Sequence, residues 1–198
     1  MSTTLAPGAA AAPRTVLADV LPGARVRDAV LVLFGALFTG AMAQIVIPMT
    51  PVPMTGQTLA VGLVGATLGL RRGTAAMLLY VVLGFVLPIY AGGGHGIENL
   101  WGATGGYIVG FVAATAVVGW LAERGADRKV AYAFLAFVVA QLLVFVPGVL
   151  VLQAVTGMAW SDAVHSGFTV FIVGGLVKAA VGGALLPGAW KLVRRYEG

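Results

Sequence analysis

The sequence predicts an all-α, polytopic membrane protein: a bundle of six transmembrane helices with N- and C-termini cytoplasmic. Three observations predict it. Hydrophobic residues make up 60% of the chain and charged residues 10%, with a mean hydropathy of +0.99, whereas a soluble domain is about a quarter charged. Apolar runs near the length of a bilayer crossing recur along the chain. Lys and Arg occupy alternate connections between those runs, the pattern of short cytoplasmic loops.

The first run is Ala29 to Ile47, ended by Pro48. The loop Met49 to Gly56 carries prolines that forbid regular helix. Gln57 to Leu70 forms a short second run that stops at Arg71-Arg72, and Gly73 to Leu87 a third, closed by Pro88. A glycine-dense loop, Tyr90 to Thr104, leads to the fourth run, Gly105 to Leu121. The fifth, Val130 to Val155, contains Pro147-Gly148 and is expected to kink there. Thr156 to Gly167 reads as a loop before the sixth run, Phe168 to Trp190.

With six crossings, Arg14, Arg25, Arg27, Arg71, Arg72, Arg124, Arg128, Lys129, Lys191, Arg194 and Arg195 all fall on one side, leaving one of the twelve cations. The loops after runs one, three and five hold no Lys or Arg. At 198 residues the chain has room for one domain, the transmembrane bundle at 28–195, after an N-terminal tail and juxtamembrane segment at 1–27. Met1 to Pro13 lacks the order of a signal peptide.

Composition also excludes chemistry. There is no cysteine, so disulfides, thiol nucleophiles and iron–sulfur clusters are ruled out. The net charge of +5 does not read as nucleic-acid binding, because the cations are scattered between apolar runs without a basic stripe. They suit a lipid bilayer. His95 and His165 stand in different loops and match no metal-ligand spacing; no metal and no cofactor is expected. No nucleophile elbow, zinc-protease or phosphate-loop motif occurs. Catalytic residues are not expected, and any ATP that drives the protein must be hydrolysed by another subunit.

The remaining cation is Lys178, about ten residues into the sixth run and so about 15 Å deep. A Lys at that depth costs about 3 kcal/mol on insertion scales, and no run holds an Asp or Glu within it to neutralise the charge. It is explained most simply by a polar cavity that receives an anion from outside. The cation-free loops supply the groups a pocket for a small organic acid needs: Thr55, Gln57, Tyr90, His95, Asn99, Trp101 and Tyr107. Gln44 and Gln141, inside runs, read as helix-to-helix hydrogen bonds. Small-residue pairs such as Ala36 with Gly40 and Gly65 with Gly69 allow close helix packing.

Pro51-Val52-Pro53-Met54-Thr55-Gly56-Gln57-Thr58-Leu59-Ala60-Val61 resembles the first-loop signature of the BioY family. Leu68-Gly69 with Arg71-Arg72-Gly73, Leu87-Pro88 with Ala91-Gly92-Gly93, Gly102-Ala103-Thr104-Gly105-Gly106-Tyr107, and Gly174 with Lys178 follow in the family's order over roughly 28–190. The resemblance implies a six-helix S-component fold that binds biotin near the outer face of the cell membrane. It implies partnership with the energy-coupling-factor (ECF) transmembrane coupling protein and two ATPase subunits, with Ala36 and Gly40 as the coupling contact and a bundle that topples as ATP is hydrolysed elsewhere. The family's embedded lysine falls on Lys178.

Two departures stand out. Val173-Gly174-Gly175 replaces Pro-Gly-Asp, so the acid that would partner Lys178 is missing at Gly175; either another group replaces its hydrogen bond to the ligand, or specificity has shifted. Ala103 replaces a proline and should alter only loop stiffness. Two alternatives stay open: an S component for another small carboxylic acid, and, from a different class, a membrane-embedded enzyme acting on lipid.

Overall fold

A computed structural model describes residues 15–21 and 25–197. The expected tail at 1–14 lies outside the described residues. Residues 15–21, expected as juxtamembrane chain, form a short 3-10 turn, Leu17–Val20, with Val16 and Ala18 buried.

Helix α1 spans Arg25–Ala43, beginning four residues before the apolar run. The proline-rich loop holds one small antiparallel pairing, β1 (Val46–Ile47) with β2 (Met54–Thr55), which delivers Thr55 to the head of α2. Helix α2, Gln57–Leu83, holds the two expected runs joined with no loop between them. It nevertheless reverses at Gly69, whose φ of 81° and ψ of −179° lie in a region open essentially to glycine alone. The halves 57–68 and 70–83 therefore lie antiparallel, and Gln57 Nε2 donates to Tyr80 Oη at 2.6 Å. The reversal comes ahead of the arginine pair, so Arg71 and Arg72 open the second half instead of ending the first.

The loop after α2 contains a 3-10 turn, Ala91–Gly93, and α3, Glu98–Trp101. Helix α4, Gly105–Glu123, packs on α2 and on α5, Val130–Thr156. Helix α5 continues through Pro147, the site of the expected kink, without a break in the helix. The segment expected as the last loop is instead helical: α6, Trp160–Gly167, seats Ala163 and Gly167 inward. A 3-10 turn, Thr169–Phe171, joins it to α7, Ile172–Glu197.

Among the described residues, five stretches are long and apolar enough to cross a membrane: Arg25–Ala43, Gln57–Leu83, Gly105–Glu123, Val130–Thr156 and Trp160–Tyr196. Their outer faces carry large exposed apolar side chains such as Leu33, Phe34, Leu142 and Val146, which suits lipid rather than water. The interior is close-packed around Tyr80, Met77, Phe137 and Leu152. Phe137 of α5 is wedged between Gly62 of α2 and Gly182 of α7; a Cβ on either glycine would sit 2.3 Å from its ring.

The connections bearing Lys and Arg gather at one end and are tied together. Arg72 pairs with Asp19 at 2.8 Å and with Asp28 at 3.1 Å. Burial opposes ionisation of Asp19, but the bond from Arg72 and those from the backbone N–H groups of Val16 and Thr15 hold its carboxyl below the usual carboxylate range. The Leu70 N–H donates to Glu123 Oε1 at 2.8 Å, and Trp190 Nε1 donates to the buried Asp127 Oδ2.

Ala36 and Gly40 face the interior. Ala36 is fully buried, and a Cβ on Gly40 would meet the Ile89 side chain at 3.1 Å. The small residues bring α1 onto its neighbours, while the exposed face of α1 carries Val30, Leu33, Phe34 and Leu37.

Candidate functional site

At the end opposite the clustered arginines, α2, α4, α5 and α7 and two loops enclose a cavity of about 260 Å³. Each element contributes through its period. Tyr107 and Phe111 are four apart on α4; Gln141 and Phe145 are four apart on α5; Phe171, Gly175 and Lys178 fall at steps of four and three. Such spacings put side chains on one helical face.

Lys178 lies six residues beyond the start of α7 at Ile172, about 9 Å along its axis. Its ammonium donates to the Thr55 carbonyl and, at 3.0 Å, to Thr58 Oγ1. Both bonds tie it to the head of α2. An ammonium carries three donors, so one N–H remains for the cavity. Among the described residues, no Asp or Glu lines the cavity; the positive charge there meets only dipoles.

Much of the remaining polar lining is already engaged with the protein. Thr55 Oγ1 donates to Gln57 Oε1 at 2.7 Å, and Gln57 Nε2 donates to Tyr80. Tyr90 Oη donates to the Val81 carbonyl at 2.7 Å, its ring meeting Tyr80 edge-on with centroids 5.6 Å apart; burial pushes the Tyr90 phenol up to about 12. Tyr107 Oη donates to the Gly167 carbonyl at 2.9 Å, fastening α4 to α6. These residues frame the cavity more than they offer free donors. Asn99 Nδ2 donates to the carbonyls of His95 and Gly96, which holds the amide in the loop. The apolar wall comes from Phe111, Phe145, Phe171, Val52 and Val144, with Phe145 packed on Phe171 at 5.5 Å.

Of the residues singled out from sequence, Lys178, Thr55, Gln57, Tyr90, Asn99, Tyr107 and Gly175 meet around this one cavity. Trp101 does not; its side chain is 76% exposed on α3, outside the lining. His95 is likewise outside it. The aromatic wall, Thr58 and the cavity role of Gln141 were not drawn from the sequence. The shared four-residue spacing of Tyr107 with Phe111, and of Gln141 with Phe145, is the signal that would have found them.

The region around position 175 differs from what the resemblance led one to expect. Gly175 is buried, and a Cβ there would lie 2.0 Å from Gln141 Oε1. The Gln141 amide fills the space a side chain at 175 would need, and its Nε2 donates to the Gly175 carbonyl at 2.7 Å.

A model of the BioY family matches residues 13–195. The biotin transporter BioY2 of Lactococcus lactis subsp. cremoris is 38% identical over 150 residues, covering 75% of this chain and 82% of that protein. The biotin transporter BioY of Thermotoga maritima is 39% identical over 142 residues, covering 70% and 81%. In architecture the chain is similar to a crystal structure of the S-component for biotin from an ECF-type ABC transporter, with a TM-score of 0.76 at 21% identity over 84% of this chain and 92% of that one. The likeness is one of fold, and it accounts for the several membrane-spanning helices.

Proposed function

The chain belongs to the BioY family, and on that premise we propose that it is the membrane-embedded subunit that captures biotin for uptake by an ECF-type transporter. It is a binding component and not an enzyme; the work of ATP hydrolysis belongs to partner subunits. One observation carries the reading beyond the family name: an aromatic cavity whose lining, among the described residues, holds one ammonium, Lys178, and no carboxylate.

Biotin offers a carboxylate at one end and a urea-containing bicyclic ring at the other. A desolvated ammonium at about 4 Å from a carboxylate gains about 4 kcal/mol at the effective dielectric of a partly polar site. Phe111, Phe145 and Phe171 supply apolar area for the ring and chain, at roughly 25 cal/mol per Å² removed from water. The Lys178 bonds to Thr55 and Thr58 keep the ammonium at the wall when the site is empty, so little rearrangement is needed on loading.

Six crossings, with both chain ends on the cytoplasmic side of the cell membrane, remain our reading of the topology. The antiparallel halves of α2 support it, as does the collection of the arginine-bearing connections at one end of the bundle. The exposed apolar face of α1 is the surface we assign to the transmembrane coupling partner, in place of the buried Ala36 and Gly40. Mass spectrometry of small molecules released from gently purified protein, with direct titration of biotin and desthiobiotin, tests the ligand. Recovery of a different acid, with no biotin binding, rejects it.

A further inference from the structure

Gln141 sits midway along α5, a membrane helix, where a lone amide needs partners. It has one. Nε2 donates to the Gly175 carbonyl at 2.7 Å. That bond fixes which way the amide faces, because only the nitrogen end can donate to a carbonyl. Oε1 consequently lies against Gly175 and accepts no hydrogen bond among the described residues. It is not sealed in either: among the described side chains, Asp127 Oδ1 alone is both fully buried and unpartnered. Gln141 therefore holds an open acceptor at the cavity wall. Gly175 is required for this pose, since a Cβ there would stand 2.0 Å from that oxygen. Three residues on from Gly175 is Lys178, on the same face of α7.

We propose that Gln141 is a specificity-determining residue: its Oε1 receives an N–H of the ligand while Lys178 receives the ligand's anion. The site is thereby matched to an acid that also carries an amide- or urea-type N–H. A neutral acceptor matters here. A carboxylate in the same place would pair with Lys178 and compete with the ligand's own anion, whereas the amide leaves the full positive charge available. This inference rests on the biotin reading, in which the urea ring supplies the N–H.

The test uses the full chain, purified, with biotin and a biotin analogue whose urea nitrogens are methylated. The wild type should prefer biotin by roughly 10- to 100-fold, the scale of a buried hydrogen bond left unmade. Gln141→Met, of similar length and without the oxygen, should lose most of that preference, chiefly by weakening biotin, and Gly175→Ala should do the same by displacing the amide. Thermal melting of each variant reports folding, and Gln141→Leu provides a second replacement if Gln141→Met fails to fold. Equal binding of both compounds by the wild type overturns the role of Gln141 and leaves the biotin reading standing. So does a Gln141→Met variant that keeps the wild-type preference or weakens both compounds alike. A wild type that binds neither overturns both readings.

Discussion

Gln57 and Tyr80, twenty-three residues apart on the two halves of α2, are joined side chain to side chain at 2.6 Å. A straight helix would hold them about 34 Å apart. The contact exists because α2 doubles back at Gly69, and it brings the head of the first half and the tail of the second to the cavity together.

Gly69→Ala should therefore strain the reversal. The backbone there is in glycine-only territory, and the added methyl would meet Glu123 Oε1 at 2.7 Å. We expect a loss of about 1–3 kcal/mol, seen as a lower melting temperature in detergent and weaker ligand retention. A variant as stable as the parent would show that the turn tolerates a side chain.

Lys178→Ala removes the only charged side chain that lines the cavity among the described residues. Affinity for biotin should fall by about 100-fold, the upper end for losing a charge-assisted hydrogen bond, while the melting temperature changes little because an embedded cation is itself costly. Isothermal titration checks the first, thermal unfolding the second. Unchanged affinity removes the ammonium from the site.

Trp101→Ala should change biotin affinity by no more than about twofold, the size of an ordinary surface substitution, since Trp101 stands outside the lining. A tenfold loss would mean that α3 folds over the bound ligand.

Ala36→Leu should destabilise the isolated chain by about 1–3 kcal/mol through overpacking, because Ala36 is fully buried. Leu33→Ala, on the exposed face of the same helix, should leave the isolated chain intact and weaken co-purification with a coupling partner. Pull-down of the complex together with melting curves separates the two effects.

Asp127 gives a pH prediction. Burial raises its carboxyl above the usual value, a shift that the Trp190 hydrogen bond opposes. A raised folded-state value stabilises the fold below the unfolded carboxylate range and loses that contribution as pH climbs through the folded value. Asp127→Asn carries no such charge. Its melting temperature should gain on the parent's as pH rises above about 4, the ordinary carboxylate value, and level off once the folded carboxyl has lost its proton; a difference that never changes with pH would refute the raised value.

Much of the architecture was legible because lipid imposes simple rules. The apolar runs announced α1, α4 and α5, and the cation spacing anticipated that the arginine-bearing connections share one end. The reversal at Gly69 was mislocated to Arg71-Arg72 because charge marks where a chain leaves the bilayer, whereas backbone freedom marks where it turns. Helix α6 was missed because Trp160 to Gly167 mixes charge and small residues, and its helicity comes from seating Ala163 and Gly167 on α5. At the site, Lys178 stood out as a charge without company in apolar sequence. The aromatic wall did not, since a Phe facing a cavity and a Phe facing lipid look the same in one dimension. Gln141 needed the third dimension most: its expected helix-to-helix bond is there, to the Gly175 carbonyl, but only the packing against Gly175 reveals that the amide also borders the cavity.

The Asp19, Asp28, Glu123 and Asp127 fastenings have a mechanical corollary. They lock the arginine-rich pole into a stiff footing, while the opposite pole is made of loops and short turns. Any change of shape that admits or releases a guest is accordingly expected at the mouth, with the tied pole as its fixed end.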